Sequence, residues 1–221
     1  MNLEKNRKLV YKKNIIDIPH PFVQYKKIIF EGTDSSQIEV DLAIPKSNIK
    51  GVIVDFPEFK VKNKDYLNLT KYSMLDYALA SLHIRGQAGN SENNTPCSHF
   101  PFLDNSSSTP YFNLVFQDAL DTISIIEMLF PNKEILVTGL GQGAAISIVC
   151  ASYYDSIKEL FISDCSLCDI IKTYNKNKKA PFFKNIYKFE SDFSDKLDYL
   201  YSTLNSIDVL NFSNSITQKV H

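Results

Sequence analysis

The sequence predicts an α/β fold, in which a mostly parallel sheet carries an antiparallel hairpin near its N-terminus. Strand-like and helix-like segments alternate from residue 51 to residue 163, which is typical of parallel strands joined by right-handed crossovers. The hairpin is indicated by two β-rich runs, 23–30 and 38–44, with turn-forming residues between them. The 221 residues are 44% apolar and 22% charged, which favours one folded domain over a disordered chain or a disulfide scaffold.

Residues 1–22 are an N-terminal extension before the hairpin. The first parallel strands, after the hairpin, are short apolar runs. Gly51–Phe56 and segment 77–84 have the composition of buried strands. Between them, segment 62–75 has apolar residues at helical spacing and predicts a helix. Residues 88–110 are rich in Asn, Ser, Thr and Pro, which predicts a long loop of the kind that often carries function.

The clearest helix of the sequence covers residues 111–130, because its apolar residues recur at intervals of three and four and form one stripe. We interpret Asp118, within this helix, as a residue of the polar face. The next elements are a strand at 134–138, a helix over Gln142–Tyr153 and a strand from Lys158 to Ser163. Segment 165–221 has a looser pattern and is predicted to be irregular or helical, with a helix over 192–210.

The charge balance and the apolar pattern exclude two classes of partner. Lys and Arg total 24 and Asp and Glu 25, and a net charge of −1 argues against binding to nucleic acid. No stretch approaches 18 uninterrupted apolar residues, so we expect no membrane partner. The N-terminal residues do not resemble a secretory signal, and we therefore expect a cytoplasmic protein with reduced thiols.

Cysteine and histidine positions give no sign of a metal site. Cys165 and Cys168 have CxxC spacing, but a zinc or redox role needs a second pair or a thioredoxin-like setting, and the sequence has neither. The histidines are widely spaced and form no ligand pattern: His20, His83, His99 and His221. We expect no metal and no cofactor. We interpret His83 as structural, His99 as a surface residue and His221 as part of a frayed end.

Three of the seven glycines stand in segment 139–143, Gly-Leu-Gly-Gln-Gly, between a predicted strand and a predicted helix. One interpretation is a phosphate-binding turn, but Ala144 stands where the GxGxxG fingerprint needs glycine, and this turn comes late in the sheet. The other is a nucleophile elbow of the form G-x-S-x-G. In that case Gly139 and Gly143 are the flanking glycines of the elbow, and Gly141 stands in the place of the serine nucleophile.

Several stretches together resemble the acetyl xylan esterase / cephalosporin C deacetylase family (carbohydrate esterase family 7). Segment 83–91, His-Ile-Arg-Gly-Gln-Ala-Gly-Asn-Ser, is similar to the family's Asp-Val-Arg-Gly-Gln-Gly-Gly. Segment 111–119 resembles its Tyr-x-x-x-(Val/Phe)-x-Asp-Ala helix, and segment 137–143 resembles its Val-Thr-Gly-Gly-Ser-Gln-Gly elbow. The resemblance covers the chain from about residue 20 to its end. It implies an α/β-hydrolase-like fold and a substrate that is an acetylated sugar or a small ester.

The resemblance also implies which residues form the site. The main-chain N–H groups of Phe59 and Gln142 correspond to the oxyanion hole. Three residues, Arg85, Gly86 and Gln87, correspond to a structural motif that fixes the loop after the preceding strand. The family chain continues beyond the point that matches His221, first to a strand and the acidic triad residue and then to the triad histidine. The resemblance therefore implies a single truncated domain, 1–221, that lacks the last strands and the Ser-Asp-His triad.

These observations predict a catalytically silent relative of the acetyl esterases. Two alternatives stay open: a non-catalytic binding or scaffold subunit that pairs with a full-length esterase, and a weak carboxylesterase with an unrecognised nucleophile. If the last strands are missing, the apolar strand from Lys158 to Ser163 becomes an exposed edge, and exposed edges pair with other chains. We therefore expect an oligomer formed through this edge, unless the C-terminal segment folds over it.

Overall fold

The computed structural model describes residues 3–61, 65–95 and 109–221, and these residues form one sheet of eight strands. The strands are β1 (Tyr11–Ile16), β2 (Val23–Glu31), β3 (Gln37–Pro45), β4 (Gly51–Phe56), β5 (Tyr77–Leu82), β6 (Glu134–Leu140), β7 (Ile157–Ser163) and β8 (Lys219–Val220). Their order in the sheet is β1-β2-β3-β5-β4-β6-β7-β8. The first three strands are antiparallel to their neighbours, whereas β5, β4, β6, β7 and β8 are parallel, so the predicted fold class is confirmed.

The direction of the crossovers places the carboxyl end of β4 at a topological switch point. From β4 the chain crosses to β5 on one side and later returns to β6 on the other side. In open α/β sheets, ligands bind in the crevice that such a reversal leaves at the carboxyl ends of the strands. The turn after β4 and the turn after β6 therefore meet where a binding site is expected.

The helices of the described residues are α1 (Tyr66–Leu69), α2 (Tyr111–Leu129), α3 (Gln142–Tyr153), α4 (Ile170–Lys176), α5 (Lys184–Asp192), α6 (Leu197–Ser206) and α7 (Leu210–Ser213). The predicted helix 62–75 is only one α-helical turn followed by a 3-10 helix at Thr70–Leu75, with residues 62–64 outside the described part. Asp76 ends this segment because its φ of 66° is left-handed. No helix in the described ranges is long and apolar enough to cross a membrane.

The predicted helix 192–210 is divided into a 3-10 turn, α6 and the beginning of α7. The division falls at Asp208, whose carboxylate accepts hydrogen bonds from the main-chain N–H groups of Asp169, Ile170 and Leu210 at 2.7–3.0 Å. This carboxylate ties the start of α4 to the start of α7. A side chain that bonds three main-chain groups in this way competes with a continuous helix.

The main core lies between one face of the sheet and the helices α2 and α3. Residues such as Val54, Val137 and Phe116 are fully buried there. The opposite face carries a smaller core under α1, around Tyr25 and Leu79. Most of the predicted loop 88–110, including Cys97 and His99, lies outside the described residues.

The prediction that the strand from Lys158 to Ser163 is an edge strand is wrong. The C-terminal segment returns to β7, and β8 pairs with it in parallel, Glu159 with Lys219 and Leu160 with Val220. This is the alternative in which the C-terminal segment folds over the strand. Oligomer formation itself stays a prediction.

The expectation that His221 frays is also wrong. Its N–H donates to the carbonyl of Leu160 at 2.9 Å, and its own carbonyl accepts from the N–H of Ile162 at 3.1 Å. The imidazole lies parallel to the ring of Phe161, with the ring centroids 4.5 Å apart, and Nε2 is 2.6 Å from Glu159 Oε2. Main-chain pairing and ring stacking together hold this residue in place.

Candidate functional site

Segment 139–143 forms the turn from β6 into α3, and Gly141 is the residue immediately before the helix. Its φ of 60° and ψ of −114° lie in a region where side chains other than hydrogen cause strain. The N–H of Gly141 donates to Ser163 O at 3.1 Å, and its carbonyl accepts from the N–H of Ser166 at 3.2 Å. The turn is therefore fixed to the chain that follows β7, at the carboxyl ends of the parallel strands.

The other two glycines of the turn allow main chain to approach main chain closely. A Cβ at Gly139 would lie 2.2 Å from the carbonyl carbon of Gly143, and a Cβ at Gly143 would lie 1.9 Å from Phe56 O. Both contacts involve main-chain atoms, so no side chain can move away. At Gly141, in contrast, the three atoms nearest to a Cβ all belong to the side chain of Glu58, with Cγ at 3.1 Å.

Glu58 occupies the space in front of Gly141. Its Oε1 lies 3.5 Å from the position that a Cβ at residue 141 would take. The side chain is exposed, and no residue that the structure describes donates a hydrogen bond to its carboxylate. It faces a cleft of about 510 Å³, whose lining includes Pro57, Leu140, Phe161, Ser163 and His221. Sequence analysis missed Glu58 because one exposed acid in a loop belongs to no recognisable pattern.

Hydrogen bonds on both sides of Glu58 fix its main chain relative to the elbow. The amides of Gln87 and Gln142 form a reciprocal pair, with N···O distances of 2.8 and 3.0 Å. Gln142 Nε2 also donates to Pro57 O at 3.2 Å, and the N–H of Lys60 donates to Gln87 Oε1 at 2.9 Å. The loops after β4, β5 and β6 are thereby joined through two side chains.

The buried side chain of Arg85 links the loop after β5 to other segments of the fold. Its guanidinium is fully buried and forms a bidentate pair with Asp118, at 2.7 and 2.8 Å, and a further bond to Asp34 at 2.8 Å. Tyr111 OH donates to the carbonyl of Arg85 at 2.7 Å and accepts from Gln87 Nε2 at 2.9 Å. Both Arg85 and Gln87 therefore bond to the framework around the cleft.

The prediction that Asp118 lies on a polar face is wrong, because this residue is 2% exposed. Nearly the whole circumference of the first four turns of α2 is buried, and Asp118 points at Arg85.

Gly86, between Arg85 and Gln87, has a φ of 60°. Burial alone would raise the pKa of Asp34, but the bonds from Thr95 and Arg85 outweigh burial and hold the pKa at about 2.

Ser147 and the three described cysteines are poorly suited to act as nucleophiles. Ser147 is buried in α3 and donates to the carbonyl of Gly143 at 2.9 Å. Burial raises the pKa of the Cys165 thiol to about 11, and burial also raises the pKa of Cys150 and of Cys168. A thiol is a strong nucleophile only as the thiolate, so the raised pKa values make these cysteines weaker nucleophiles than an exposed thiol.

The described histidines are each bonded to a residue outside the elbow, although His221 also lines the cleft. His83 Nε2 lies 2.7 Å from Asp41 Oδ2, and its Nδ1 accepts from the N–H of Asn90 at 3.0 Å, which assigns the proton to Nε2. His20 Nδ1 accepts from a neighbouring main-chain N–H, and His221 is bonded to Glu159. Across the described ranges no group of three or more His, Cys, Asp or Glu side chains is arranged to hold a metal ion.

A strand–turn–helix elbow at the switch point of a mostly parallel sheet is the arrangement of an α/β-hydrolase-type fold. The sequence model of the acetyl xylan esterase (AXE1) family matches residues 2–221, and the chain therefore belongs to this family. No curated protein sequence shows significant similarity to the chain.

Solved structures show the same fold at low sequence identity. Acetyl xylan esterase 1 from Thermoanaerobacterium sp. JW/SL YS485 has a TM-score of 0.86 at 19% identity, covering 97% of this chain and 72% of that chain. The acetyl xylan esterase from Paenibacillus sp. R4 has a TM-score of 0.84 at 16% identity, with the same coverage. The Pyrococcus furiosus esterase Pf2001 is more distant, with a TM-score of 0.56 at 16% identity over 97% of this chain and 75% of that chain.

The elbow geometry predicts unequal costs for adding a methyl group at two of its glycines. Gly141→Ala adds a Cβ at a positive φ, and its nearest contacts are with the movable side chain of Glu58, so we expect a loss of about 1–3 kcal/mol in the free energy of unfolding. Gly143→Ala places a Cβ against the main chain of Phe56 and is expected to cost more than about 4 kcal/mol or to prevent folding. Urea denaturation measures both, and equal costs would contradict the described turn.

The buried ion pair predicts a large effect of removing one charge. Asp118→Asn leaves the fully buried guanidinium of Arg85 without its bidentate partner, and we expect a loss of about 3–5 kcal/mol in the free energy of unfolding. The matched control is Asp76→Asn, since Asp76 forms an exposed pair with Lys50 and asparagine also tolerates a left-handed φ. Urea denaturation should place the control near the wild type, and similar losses in both variants would refute the role of the buried pair.

Proposed function

We propose that this chain is a catalytically silent member of the acetyl xylan esterase family that keeps the ligand cleft and does not cleave esters. The observation that carries the proposal is residue 141, where a glycine stands at the apex of the elbow. Ester hydrolysis on this fold uses a side-chain nucleophile at that position, activated by a base and faced by oxyanion donors. Glycine supplies no attacking atom.

The surroundings of Gly141 support the same proposal. By resemblance, the main-chain N–H groups of Phe59 and Gln142 are the oxyanion donors. The carboxylate of Glu58 lies beside Gly141, with Oε1 3.5 Å from the position of a Cβ there, and its negative charge opposes the negative charge that develops on an ester oxygen bound next to the elbow. A site that stabilises an oxyanion needs positive charge or hydrogen-bond donors there, so Glu58 adds a second obstacle to the missing nucleophile.

An acetyl-ester assay tests the proposal. Wild-type chain is expected to hydrolyse p-nitrophenyl acetate no faster than an equal concentration of heat-unfolded chain, at every protein concentration used. Mass spectrometry of the same samples is expected to find no acetyl group on the folded chain beyond those on the unfolded control. Gly141→Ser is expected to stay inactive, since the described histidines are bonded elsewhere and Glu58 keeps its charge.

Two results would overturn this proposal. An acetyl adduct specific to the folded chain, at any residue, would reveal a nucleophile. Hydrolysis that scales with protein concentration and disappears in Glu58→Gln would identify Glu58 as a base that activates water, which is the weak-esterase alternative.

A second candidate function is a non-catalytic subunit that pairs with another copy or with an active esterase. Its support is an apolar patch on the rim of the cleft, where Leu140 is 41%, Phe161 42% and Val61 48% exposed. Exposed apolar residues that lie close together mark interaction surfaces more often than scattered ones do. Burying this patch against a partner would also close the cleft.

Light scattering coupled to size-exclusion chromatography tests the second candidate. We expect association that increases with protein concentration and weakens in Phe161→Ser. The matched control is Leu67→Ser, which removes an apolar side chain of α1 that is 76% exposed, and it should leave association unchanged. A monomer at all concentrations would exclude self-association through the patch.

A further inference from the structure

The Glu58 carboxylate gives the cleft different hydrogen-bonding properties from those of a cleft with a serine nucleophile. A serine hydroxyl both donates and accepts, but a carboxylate only accepts. The carbonyl oxygen of an acetyl ester also only accepts, so Glu58 forms no hydrogen bond with it. A ligand that carries hydrogen-bond donors, and above all a positively charged one, matches the carboxylate instead.

The position of Glu58 is built into the framework of the site. Gln142 bonds the carbonyl of Pro57 on one side, and Gln87 bonds the N–H of Lys60 on the other. The N–H of Val61 donates to the carbonyl of Glu58 at 3.1 Å and closes the turn. The main chain that carries the carboxylate is therefore fixed next to Gly141.

The carboxylate is available for a ligand. No described residue bonds to it, and Glu58 lines an open cleft. The cleft volume of about 510 Å³ lies in the range of roughly 300–1,000 Å³ that small-molecule sites occupy. Leu140 and Phe161 supply an apolar wall on one side of the cleft.

From these observations we propose that the cleft binds the ammonium group of a sugar-sized amine through Glu58. The ammonium group donates a charge-assisted hydrogen bond to the carboxylate at the place where an esterase presents its nucleophile. The cleft is then selective for the free amine over its acetylated form. This inference rests on the proposed function in one respect, namely that the chain keeps the cleft as a ligand site.

Isothermal titration calorimetry with three sugars of similar size tests this inference. The sugars are glucosamine, N-acetylglucosamine and glucose, which present an ammonium, an acetamide and a hydroxyl group at the same carbon. We expect glucosamine to bind roughly tenfold more tightly than N-acetylglucosamine, the size expected for one charge-assisted hydrogen bond at an exposed site. The preference should decrease as sodium chloride is raised, because salt screens exposed charges.

Two variants identify the group responsible. Glu58→Gln is expected to bind glucosamine and N-acetylglucosamine equally. Asp155→Asn removes one negative charge at the opposite end of α3, where Asp155 is exposed, and should keep the full preference. Circular dichroism of each variant checks that the fold is retained.

Three outcomes would overturn the inference: no saturable binding of glucosamine, equal binding of the amine and its acetylated form, or a preference that survives in Glu58→Gln. These outcomes are independent of the ester assay. A chain that hydrolyses acetyl esters and still prefers the amine would refute the proposed function alone, whereas a silent chain without the preference would refute only this inference.

Discussion

The reciprocal amide pair between Gln87 and Gln142 is the contact on which the geometry of the cleft depends. One amide belongs to the loop after β5 and the other to the first residue of α3, and together they also bond the main chain after β4. Three loops that are far apart in sequence thus meet at two side chains. The shape of the cleft depends on the positions of these loops relative to one another, and the two amides link them.

Beneath this pair, one buried guanidinium connects the same loop to the rest of the fold. Arg85 bonds Asp118 on α2 and Asp34 in the turn between β2 and β3, so the cation is neutralised from two distant segments. A Cβ at Gly32 would lie only 2.6 Å from Arg85 Nη2, and the absence of a side chain there lets the hairpin turn approach the cation. An unpaired cation at this depth would be very unfavourable, so the three segments are coupled through its charge.

Residue patterns predict the parallel strands and the elbow well, because both follow from local constraints. A strand that is buried on both faces must be apolar, as Gly51–Phe56 is, and a helix that touches a strand at Gly143 needs glycine there. The edge strand β1 was missed because its residues include Lys12 and Lys13, which suit a solvated edge but do not alternate with apolar residues. Asp118 and β8 were misjudged for another reason: each depends on a partner distant in sequence, Arg85 or β7.

The elbow retains its shape for reasons that do not involve catalysis. Gly139 and Gly143 are required by contacts between main-chain atoms, and those contacts are needed to pack α3 on the sheet whether or not residue 141 reacts. Glycine at position 141 is therefore compatible with the turn and with the packing of α3 on the sheet. Under the proposed function, chemistry at this site depends on a much smaller set of atoms, those of Glu58 and Gly141. In that proposal, the missing side chain at position 141 and the carboxylate at position 58 determine which ligands the cleft binds.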